Sequence, residues 1–283
     1  MPLTGTVGGA PEGELPRSFA ASQSARPEGV APRTGNLLEV KALALHFGGI
    51  TALQEVGLAI AEGETLAVIG PNGSGKTSLF NCITGIYQPT SGSISFRGES
   101  LVGRSPDAIT HLGVARTFQN LRLFHNMSVL DNLMVGRHLH FKKNLIHAAL
   151  RLRGEEIRHR QRCEEIIEFL NLEPVRKGRV ADCPYGVQKR VELGRALATE
   201  PKLLLLDEPV SGLTQEEKEE FGYWIHEIRG RFGITVLLVE HDLRMASRMA
   251  DRMVALDHGV KIAEGTPAEV QRHPEVIKAY LGE

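Results

Sequence analysis

Apolar and polar residues alternate over residues 38–43 and again over residues 56–60. Alternation with a period of two is typical of β-strands that are buried on one face. Residues 65–69 are instead continuously apolar and end at a glycine, which predicts a strand covered on both faces. A glycine-rich segment over residues 70–77 and a helix-like segment over residues 78–84 follow directly. The order strand, glycine loop, helix is the unit from which phosphate-binding sites are built.

Two later apolar runs, residues 203–206 and 234–239, also have the length and composition of buried strands. A helix-like stretch over residues 215–231 separates them. The section from about 121 to 200 differs, because it is polar, helical in pattern and without a long apolar strand. Within it, residues 191–199 have the pattern of a helix, and Pro201 ends it soon after. Buried strands that alternate with helices predict a largely parallel sheet with both faces covered. We therefore expect a sheet that is interrupted in sequence by a helical insert.

The composition and charge of the chain limit the classes of protein to which it can belong. Residues 1–36 are rich in Gly, Pro, Ala and Ser, so we expect a disordered tail, order from near Leu37 and no secretory signal. No apolar run approaches the roughly 18–20 residues of a membrane-spanning helix, so no membrane span is expected. Lys plus Arg number 33 and Asp plus Glu 34, which gives a net charge of −1 and no support for bulk binding to nucleic acid.

The chain has three cysteines, Cys82, Cys163 and Cys183, which are far apart in sequence. None of them belongs to a CxxC pair, so neither a zinc site nor a disulfide framework is predicted. Reduced thiols in a cytosolic compartment fit this pattern best.

The glycine loop is the strongest single motif, because it fits G-x-x-x-x-G-K-[ST]. Glycines allow backbone N–H groups to point at a polyphosphate, and the following helix adds its positive N-terminal end. Lys76 can reach the β- and γ-phosphates, and the Thr77 hydroxyl can hold Mg²⁺. A glycine-rich turn with an incidental lysine is the alternative, which the preceding strand disfavours. The predicted phosphate-binding residues are Gly70, Pro71, Asn72, Gly73, Ser74, Gly75, Lys76, Thr77 and Ser78.

A pair of carboxylates, Asp207 and Glu208, follows the apolar run 203–206. Ligands of α/β sheets bind at the carboxyl ends of the strands, so both side chains are well placed for a site. Asp207 is the natural partner for Mg²⁺, directly or through water, and Glu208 is placed to polarise an attacking water. Acidic residues after a strand are common, and the combination with the phosphate loop is what favours a catalytic pair.

These features form an ordered series along the chain. The series is the aromatic Phe47, the phosphate loop, Gln119, a glycine segment at 183–190, the acidic pair and His241. It resembles the nucleotide-binding subunit of ABC transporters. The resemblance implies an α/β P-loop NTPase fold with a mixed sheet and a helical subdomain. Its expected divisions are a core formed by residues 37–120 and 200–283, and a helical subdomain at about 121–199.

The resemblance also implies a mechanism with ATP and Mg²⁺ as cofactors. Phe47 would stack on adenine. Gln119 would help to hold Mg²⁺ and sense a membrane partner, and His241 would contact the γ-phosphate. The glycine segment would close over ATP that is bound to a second subunit, in a head-to-tail dimer.

The glycine segment departs from the Leu-Ser-Gly-Gly-Gln signature of that family. Tyr185 and Gly186 would still contact the nucleotide of the partner subunit. Pro184 replaces the serine whose hydroxyl would touch the γ-phosphate. Thr214 stands where Asp or Asn is more usual, so weaker contacts across the dimer are expected there.

The resemblance extends to ATPases for branched-chain amino-acid uptake through residues 47–53, 115–124, 240–242 and 276–283. It implies a peripheral subunit at the cytoplasmic face of the inner membrane, paired with an identical or related ATPase subunit. Two membrane permease subunits and, indirectly, a substrate-binding protein would complete the importer, without nucleic acid. Transport ATPases for urea, amides or lipopolysaccharide share parts of the pattern. Two further hypotheses are a soluble ABC ATPase acting on nucleic acid or ribosomes, and a regulatory subunit without turnover.

Residues 137–162 form a basic segment with eight Lys or Arg, two acids and four histidines. A solvated helical face is one interpretation of such a charge run. The other is a surface near the membrane domains or anionic headgroups. For that second interpretation the candidate contacts are Lys142, Lys143, Arg151 and Arg153.

Overall fold

The structure of the chain is a computed structural model that describes residues 35–117, 121–140 and 145–281. Between residues 145 and 153 it describes the backbone alone. The predicted disordered tail therefore lies outside the described residues except for its last two, and the first strand begins at Asn36.

Strands and helices alternate through the described residues. The strands are β1 (Asn36–Phe47), β2 (Ile50–Ala61), β3 (Thr65–Ile69), β4 (Ser91–Phe96), β5 (Glu99–Ser100), β6 (Val114–Arg116), β7 (Leu203–Asp207), β8 (Thr235–Glu240), β9 (Arg252–Asp257) and β10 (Val260–Gly265). The helices are α1 (Lys76–Ile83), α2 (Pro106–His111), α3 (Val129–Gly136), α4 (Leu145–Phe169), α5 (Tyr185–Ala198), α6 (Gln215–Phe232), α7 (Leu243–Met249), α8 (Pro267–Arg272) and α9 (Pro274–Leu281). Within the described ranges, no helix has both the length and the apolar character needed to cross a bilayer.

The larger sheet has six strands in the order β10-β9-β3-β8-β7-β6. The strands from β9 to β6 run parallel, and β10 joins the edge antiparallel to β9. Strands β3, β7 and β8 are buried along their whole length, as their continuous apolar runs require. The predicted parallel sheet with covered faces is confirmed. Strands β7 and β8 each end one residue later than the apolar runs, at the carboxylates of Asp207 and Glu240.

A second sheet has four antiparallel strands in the order β2-β1-β4-β5. The alternating pattern predicts parts of β1 and β2, but it does not predict that they form a sheet of their own. Strand β4 carries only two buried apolar residues, Ile94 and Phe96, and gives no strand signal in the sequence. Its place depends on pairing with β1, about fifty residues earlier, which local pattern does not reveal.

Successive residues of the central strands face opposite layers of the molecule. Leu66 and Val68 of β3 belong to an apolar cluster with α1 and the antiparallel sheet. Ala67 and Ile69 belong to the other cluster, which includes residues of α3, α5 and α6. Strand β3 is thus fixed from both faces, and the loop that follows it starts from a rigid point.

The stretch predicted as a helical insert contains α3, α4 and α5, and α3 packs against the other two. Helix α5 begins at Tyr185, whereas the sequence pattern predicts a helix only from Val191. Pro184 is its N-cap with a φ of −55°, and Gly186 is buried within the first turn, so local packing outweighs the low helix propensity of glycine. The division into a core and a helical subdomain stays a prediction.

Candidate functional site

Three adjacent parallel strands end at the same edge of the larger sheet. The last residues of β3 and β8 pair with each other in register, and Asp207 at the end of β7 pairs with Val239 of β8. The segments that follow β3, β7 and β8 begin with Gly70, Glu208 and His241. The fold thus gathers the predicted phosphate-binding and catalytic groups at the carboxyl ends of the strands.

The loop between β3 and α1 has no room for a side chain at its first residue, Gly70. A Cβ added to Gly70 would lie 2.1 Å from the carbonyl oxygen of Leu256. Gly75 is the N-cap of α1, with a φ of 103° and no side-chain cap hydrogen bond. No acidic residue lies in the first turn of this helix. Because the first N–H groups of a helix have no intrahelical acceptor, the start of α1 offers donors to an anion in the loop.

Lys76 is buried beneath this loop. Its Nζ donates to the carbonyl oxygens of Gly70 at 2.7 Å and Pro71 at 2.8 Å, and it lies 3.5 Å from Ser74 Oγ. Burial lowers the pKa of Lys76, while the nearby carboxylates, Glu208 first among them, raise it. A phosphate oxygen in the loop would offer this ammonium a charged acceptor in place of neutral carbonyls.

Asp207 is buried and paired with an arginine. Nη2 of Arg116 donates to Oδ2 of Asp207 at 2.7 Å, and the two side chains are 7% and 6% exposed. Nη1 of the same guanidinium donates to Oδ1 of Asn81 in α1 at 2.7 Å. One arginine at the end of β6 therefore connects the end of β7 with the helix that follows the phosphate loop.

Glu208 has its backbone in the left-handed region, with a φ of 47°, which is uncommon for a residue other than glycine. Its N–H donates to the carbonyl oxygen of Val239 at 3.0 Å, which fixes it against β8. Nδ1 of His241 lies 3.6 Å from Oε2 of Glu208. The two side chains therefore form one polar group beside the loop. Strained backbone held by its neighbours is common where catalytic groups must point in one direction.

Phe47 lies at the end of β1 and is 45% exposed. Its ring contacts Tyr87 edge to face, with the ring centroids 5.1 Å apart. A ring that is supported by a second aromatic side chain and open to solvent is suited to stacking on a base.

The glycine segment at the start of α5 packs against the start of α6 in the same chain. A Cβ added to Gly186 would lie 2.0 Å from Oε1 of Glu217, and one added to Gly212 would lie 3.0 Å from the ring of Tyr185. Thr214 is the N-cap of α6, and it forms a capping box with Glu217. Contacts within this chain thus explain why glycine stands at position 186 and threonine at position 214.

Comparison with known proteins identifies the group to which this site belongs. A family model described as ABC transporter matches residues 53–211, and one described as branched-chain amino acid ATP-binding cassette transporter matches residues 260–283. The high-affinity branched-chain amino acid transport ATP-binding protein BraF of Pseudomonas aeruginosa is 39% identical over 250 residues, which are 87% of this chain and 98% of that protein. The chain belongs to the ABC transporter family.

Solved structures of ATP-binding cassettes share the fold of this ABC ATPase. The ADP conformation of MJ1267, an ATP-binding cassette of an ABC transporter, superposes with a TM-score of 0.78 at 30% identity, over 88% of this chain and 100% of that one. A dimeric post-hydrolysis state of the cassette MJ0796, bound to ADP and Pi, gives a TM-score of 0.70 at 26% identity, over 81% and 98%. The predicted family, the fold class and the assignment as an ATP hydrolase are confirmed.

The structure brings together the phosphate loop, the acidic pair and His241 of this ABC ATPase, but one predicted residue is not described. Gln119 and its two neighbours lie outside the described residues. The chain before them ends in β6, and the N–H of Thr117 donates to the carbonyl oxygen of Leu205 in β7 at 2.9 Å. Gly186 lies against Glu217 of α6 and Tyr185 lies against Ser211 and Gly212 in the segment before it, and the contact of both residues with a second subunit stays a prediction.

Three residues at the site have no predicted role. Arg116 pairs with Asp207 across 91 positions of sequence, and Tyr280 accepts a hydrogen bond from Gly70 across 210 positions. Glu240 is fully buried at the end of β8. A charge at the end of an apolar strand, as for Arg116 and Glu240, is the sequence signal that could have drawn attention to two of them.

The basic segment of this ABC ATPase is only partly described. Arg137 is buried, and its Nη1 lies 3.0 Å from Oε1 of Glu200 and 2.9 Å from the carbonyl oxygen of Ala198. Arg137 is therefore not part of a solvated face. The four candidate membrane contacts lie outside the residues whose side chains are described, and they stay predictions: Lys142, Lys143, Arg151 and Arg153.

Proposed function

We propose that this ABC ATPase powers an importer for branched-chain amino acids from the cytoplasmic face of the inner membrane. The observation that carries the cargo assignment is the match of residues 260–283 to the model of branched-chain amino acid cassettes. The 39% identity to BraF, a protein named for the same transport, supports it. The site at the edge of the larger sheet supplies the ATPase chemistry for this transport.

In this proposal the phosphate loop binds the polyphosphate of ATP. Lys76 exchanges the carbonyl acceptors of Gly70 and Pro71 for oxygens of the β- and γ-phosphates. The backbone N–H groups of Thr77 and Ser78 donate to the same phosphates from the first turn of α1. The adenine ring stacks on Phe47. The full set of binding residues is the one predicted above, residues 70–78 with Phe47 and Gln119, and Tyr185 and Gly186 of a second subunit.

Mg²⁺ fits the donors at this edge, although it needs the nucleotide to complete its coordination. The Thr77 hydroxyl and the Asp207 carboxylate are the hard oxygen donors that Mg²⁺ prefers. The described residues contain no group of three or more His, Cys, Asp or Glu that could hold a metal on their own. Magnesium commonly binds to one or two protein oxygens together with phosphates and water, so the donors fit. When bound, the ion would neutralise negative charge on the phosphates, with Thr77, Asp207 and Gln119 around it.

Glu208 and His241 act on the water and the γ-phosphate. Glu208 accepts a hydrogen bond from a water and orients its oxygen toward the γ-phosphorus. A bond forms from that oxygen to phosphorus, a proton of the water passes to Glu208, and the bond from phosphorus to the β–γ bridging oxygen breaks, which gives ADP and phosphate. His241, 3.6 Å from Glu208, donates to a γ-phosphate oxygen, and Lys76 balances the charge that develops.

The assembly that we propose has two ATPase subunits, two membrane permease subunits and a substrate-binding protein. The start of α5, with Tyr185 and Gly186, closes over the nucleotide of the other ATPase subunit, which is identical or related. Gln119 senses the permease. The net charge of −1 offers nothing that favours nucleic acid as a partner, which supports transport over the other ABC-type functions.

Uptake by intact cells tests the cargo. The chromosomal copy is replaced by Glu208→Gln in the organism that carries this chain, and entry of radiolabelled leucine, isoleucine and valine is compared with entry of urea. We expect branched-chain uptake to fall at least tenfold while urea uptake is unchanged. Unchanged leucine uptake with reduced urea uptake would assign the chain to the other cargo.

A further inference from the structure

The last helix of the chain touches the first residue of the phosphate loop. The N–H of Gly70 donates to the hydroxyl oxygen of Tyr280 at 2.9 Å. Tyr280 belongs to α9, and 210 positions separate the two residues. The family model that matches residues 260–283 covers this helix, but nothing in that match assigns a role to the tyrosine.

Gly70 is held from several sides, so the acceptor of its N–H has a direct effect on the loop. Its carbonyl oxygen accepts from Lys76 Nζ at 2.7 Å. A Cβ at this position would lie 2.1 Å from the Leu256 carbonyl oxygen and 2.6 Å from Ser74 Oγ, so neighbouring atoms fill the space on that side of the Gly70 Cα. When Lys76 turns to a phosphate and leaves the carbonyl oxygen of Gly70, the N–H of Gly70 keeps its hydrogen bond to Tyr280.

Tyr280 is itself well anchored. Val276, one turn earlier in α9, is 1% exposed, and the ring of Tyr280 packs against the apolar cluster that includes Val270. Burial raises the pKa of Tyr280 to about 12; the hydrogen bond from Gly70 opposes this rise, and the carboxylates of Glu240 and Asp242 add to it. The hydroxyl is therefore neutral at physiological pH and accepts the N–H of Gly70 without adding charge near the phosphates.

A second contact ties the same part of the chain to the other end of the loop. The N–H of Gly259, in the turn between β9 and β10, donates to the carbonyl oxygen of Ser74 at 3.0 Å. Residues from the last thirty of the chain therefore hold the loop at Gly70 and at Ser74.

We propose that Tyr280 is a positioning residue for nucleotide binding, which sets the geometry of the phosphate loop through its hydrogen bond to Gly70. The inference rests on the proposed role of residues 70–77 as the nucleotide site. Through this bond, the C-terminal helix is a structural part of the ATP site. Helix α9 thus links the ATP site to the segment that carries the similarity to branched-chain amino acid cassettes.

The substitution Tyr280→Phe tests this, because it keeps the ring and removes the hydroxyl alone. ADP with Mg²⁺ is titrated calorimetrically into the purified full-length chain. We expect Kd to rise roughly tenfold, since a loop N–H loses its acceptor. In protein labelled with ¹⁵N-glycine, the Gly70 amide should shift and exchange faster with solvent. Tyr223→Phe, on α6, is the matched control and should bind like the wild type.

A Kd for Tyr280→Phe within twofold of the wild type, with an unchanged Gly70 amide, overturns the role of Tyr280. An amide that shifts while Kd stays the same also overturns it, because the bond then has only a local structural effect. If Lys76→Ala binds ADP as tightly as the wild type, the proposed nucleotide site itself is wrong.

Discussion

Arg116 and Asp207 form a buried ion pair, in which Nη2 and Oδ2 are 2.7 Å apart. The arginine belongs to β6 and the aspartate to β7, and the arginine also reaches Asn81 on α1. The carboxylate that we propose for Mg²⁺ is thus fixed by a charge from the strand that precedes Gln119. A displacement of that strand would therefore move Arg116 and change the position of the Asp207 carboxylate.

Removal of the arginine should destabilise the fold. Arg116→Met leaves Asp207 buried without its charge partner, and breaking a buried pair from one side typically costs about 3–5 kcal/mol. We expect a loss of that size in the free energy of unfolding, measured by urea denaturation. The double variant Arg116→Met with Asp207→Asn should lose less than the sum of the two single variants. Additive losses would mean that the two side chains are not energetically coupled.

Glu240 should make stability depend on pH. Burial raises the pKa of Glu240 to about 7, Glu208 and Asp242 add to the rise, and hydrogen bonds from backbone N–H groups oppose it. A carboxyl whose pKa is raised on folding binds more protons in the folded state than in the unfolded state. Its contribution to the free energy of unfolding is therefore full below the pKa of the unfolded state, and it is lost as the pH rises through about 7.

The variant Glu240→Gln removes this titration and keeps an oxygen for the N–H of Val210, which lies 3.4 Å from Oε1. Between pH 5.5 and 8, the unfolding free energy of the wild type should fall by roughly 2 kcal/mol relative to that of the variant. The measurement is urea denaturation across this pH range. Parallel pH profiles would show that Glu240 is ionised in the folded protein throughout.

His241 should affect turnover more than binding. His241→Ala removes a donor that we place at the γ-phosphate, and the loss of one such donor typically lowers the rate by about a hundredfold or more. ATP affinity should change by no more than a few-fold, because the loop supplies most contacts to the phosphates. Steady-state ATP hydrolysis and equilibrium binding separate the two effects. His111→Ala, on the exposed face of α2, should leave both unchanged.

Gly186 should tolerate no larger side chain without loss of the α6 cap. In Gly186→Ala the new Cβ would meet Oε1 of Glu217, which must then leave its capping box with Thr214. We expect a cost of about 1 kcal/mol in unfolding free energy. Gly230→Ala, where an added Cβ meets nothing within 4 Å, is the matched control and should be neutral or stabilising. Equal effects of the two changes would rule out the contact with Glu217.

Local pattern was sufficient to predict the parallel sheet and the phosphate loop, because both depend on short runs of sequence. Strand β3, the glycine loop and α1 follow one another within twenty residues, and each has its own signal. The sequence pattern places the start of α5 several residues too far along the chain. Glycine at 186 lowers the helix propensity of the first turn, and its packing against Glu217 compensates for that loss.

Contacts between distant parts of the chain could not be predicted in the same way. The antiparallel sheet requires β4 to pair with β1, and the bond from Gly70 to Tyr280 joins residues that are 210 positions apart. The pair of Arg116 with Asp207 has the same character. In each case one partner looks ordinary in sequence, and only the three-dimensional arrangement gives it a role.

We propose that this edge of the sheet hydrolyses ATP, with Glu208 acting on the attacking water. The direct test is Glu208→Gln, with ATP binding and phosphate release both measured in the assembled transporter. Glu216→Gln, on the exposed first turn of α6, is the control and should hydrolyse ATP like the wild type. We predict that Glu208→Gln binds ATP with wild-type affinity and releases phosphate at least a hundredfold more slowly. Phosphate release at the wild-type rate would contradict the account.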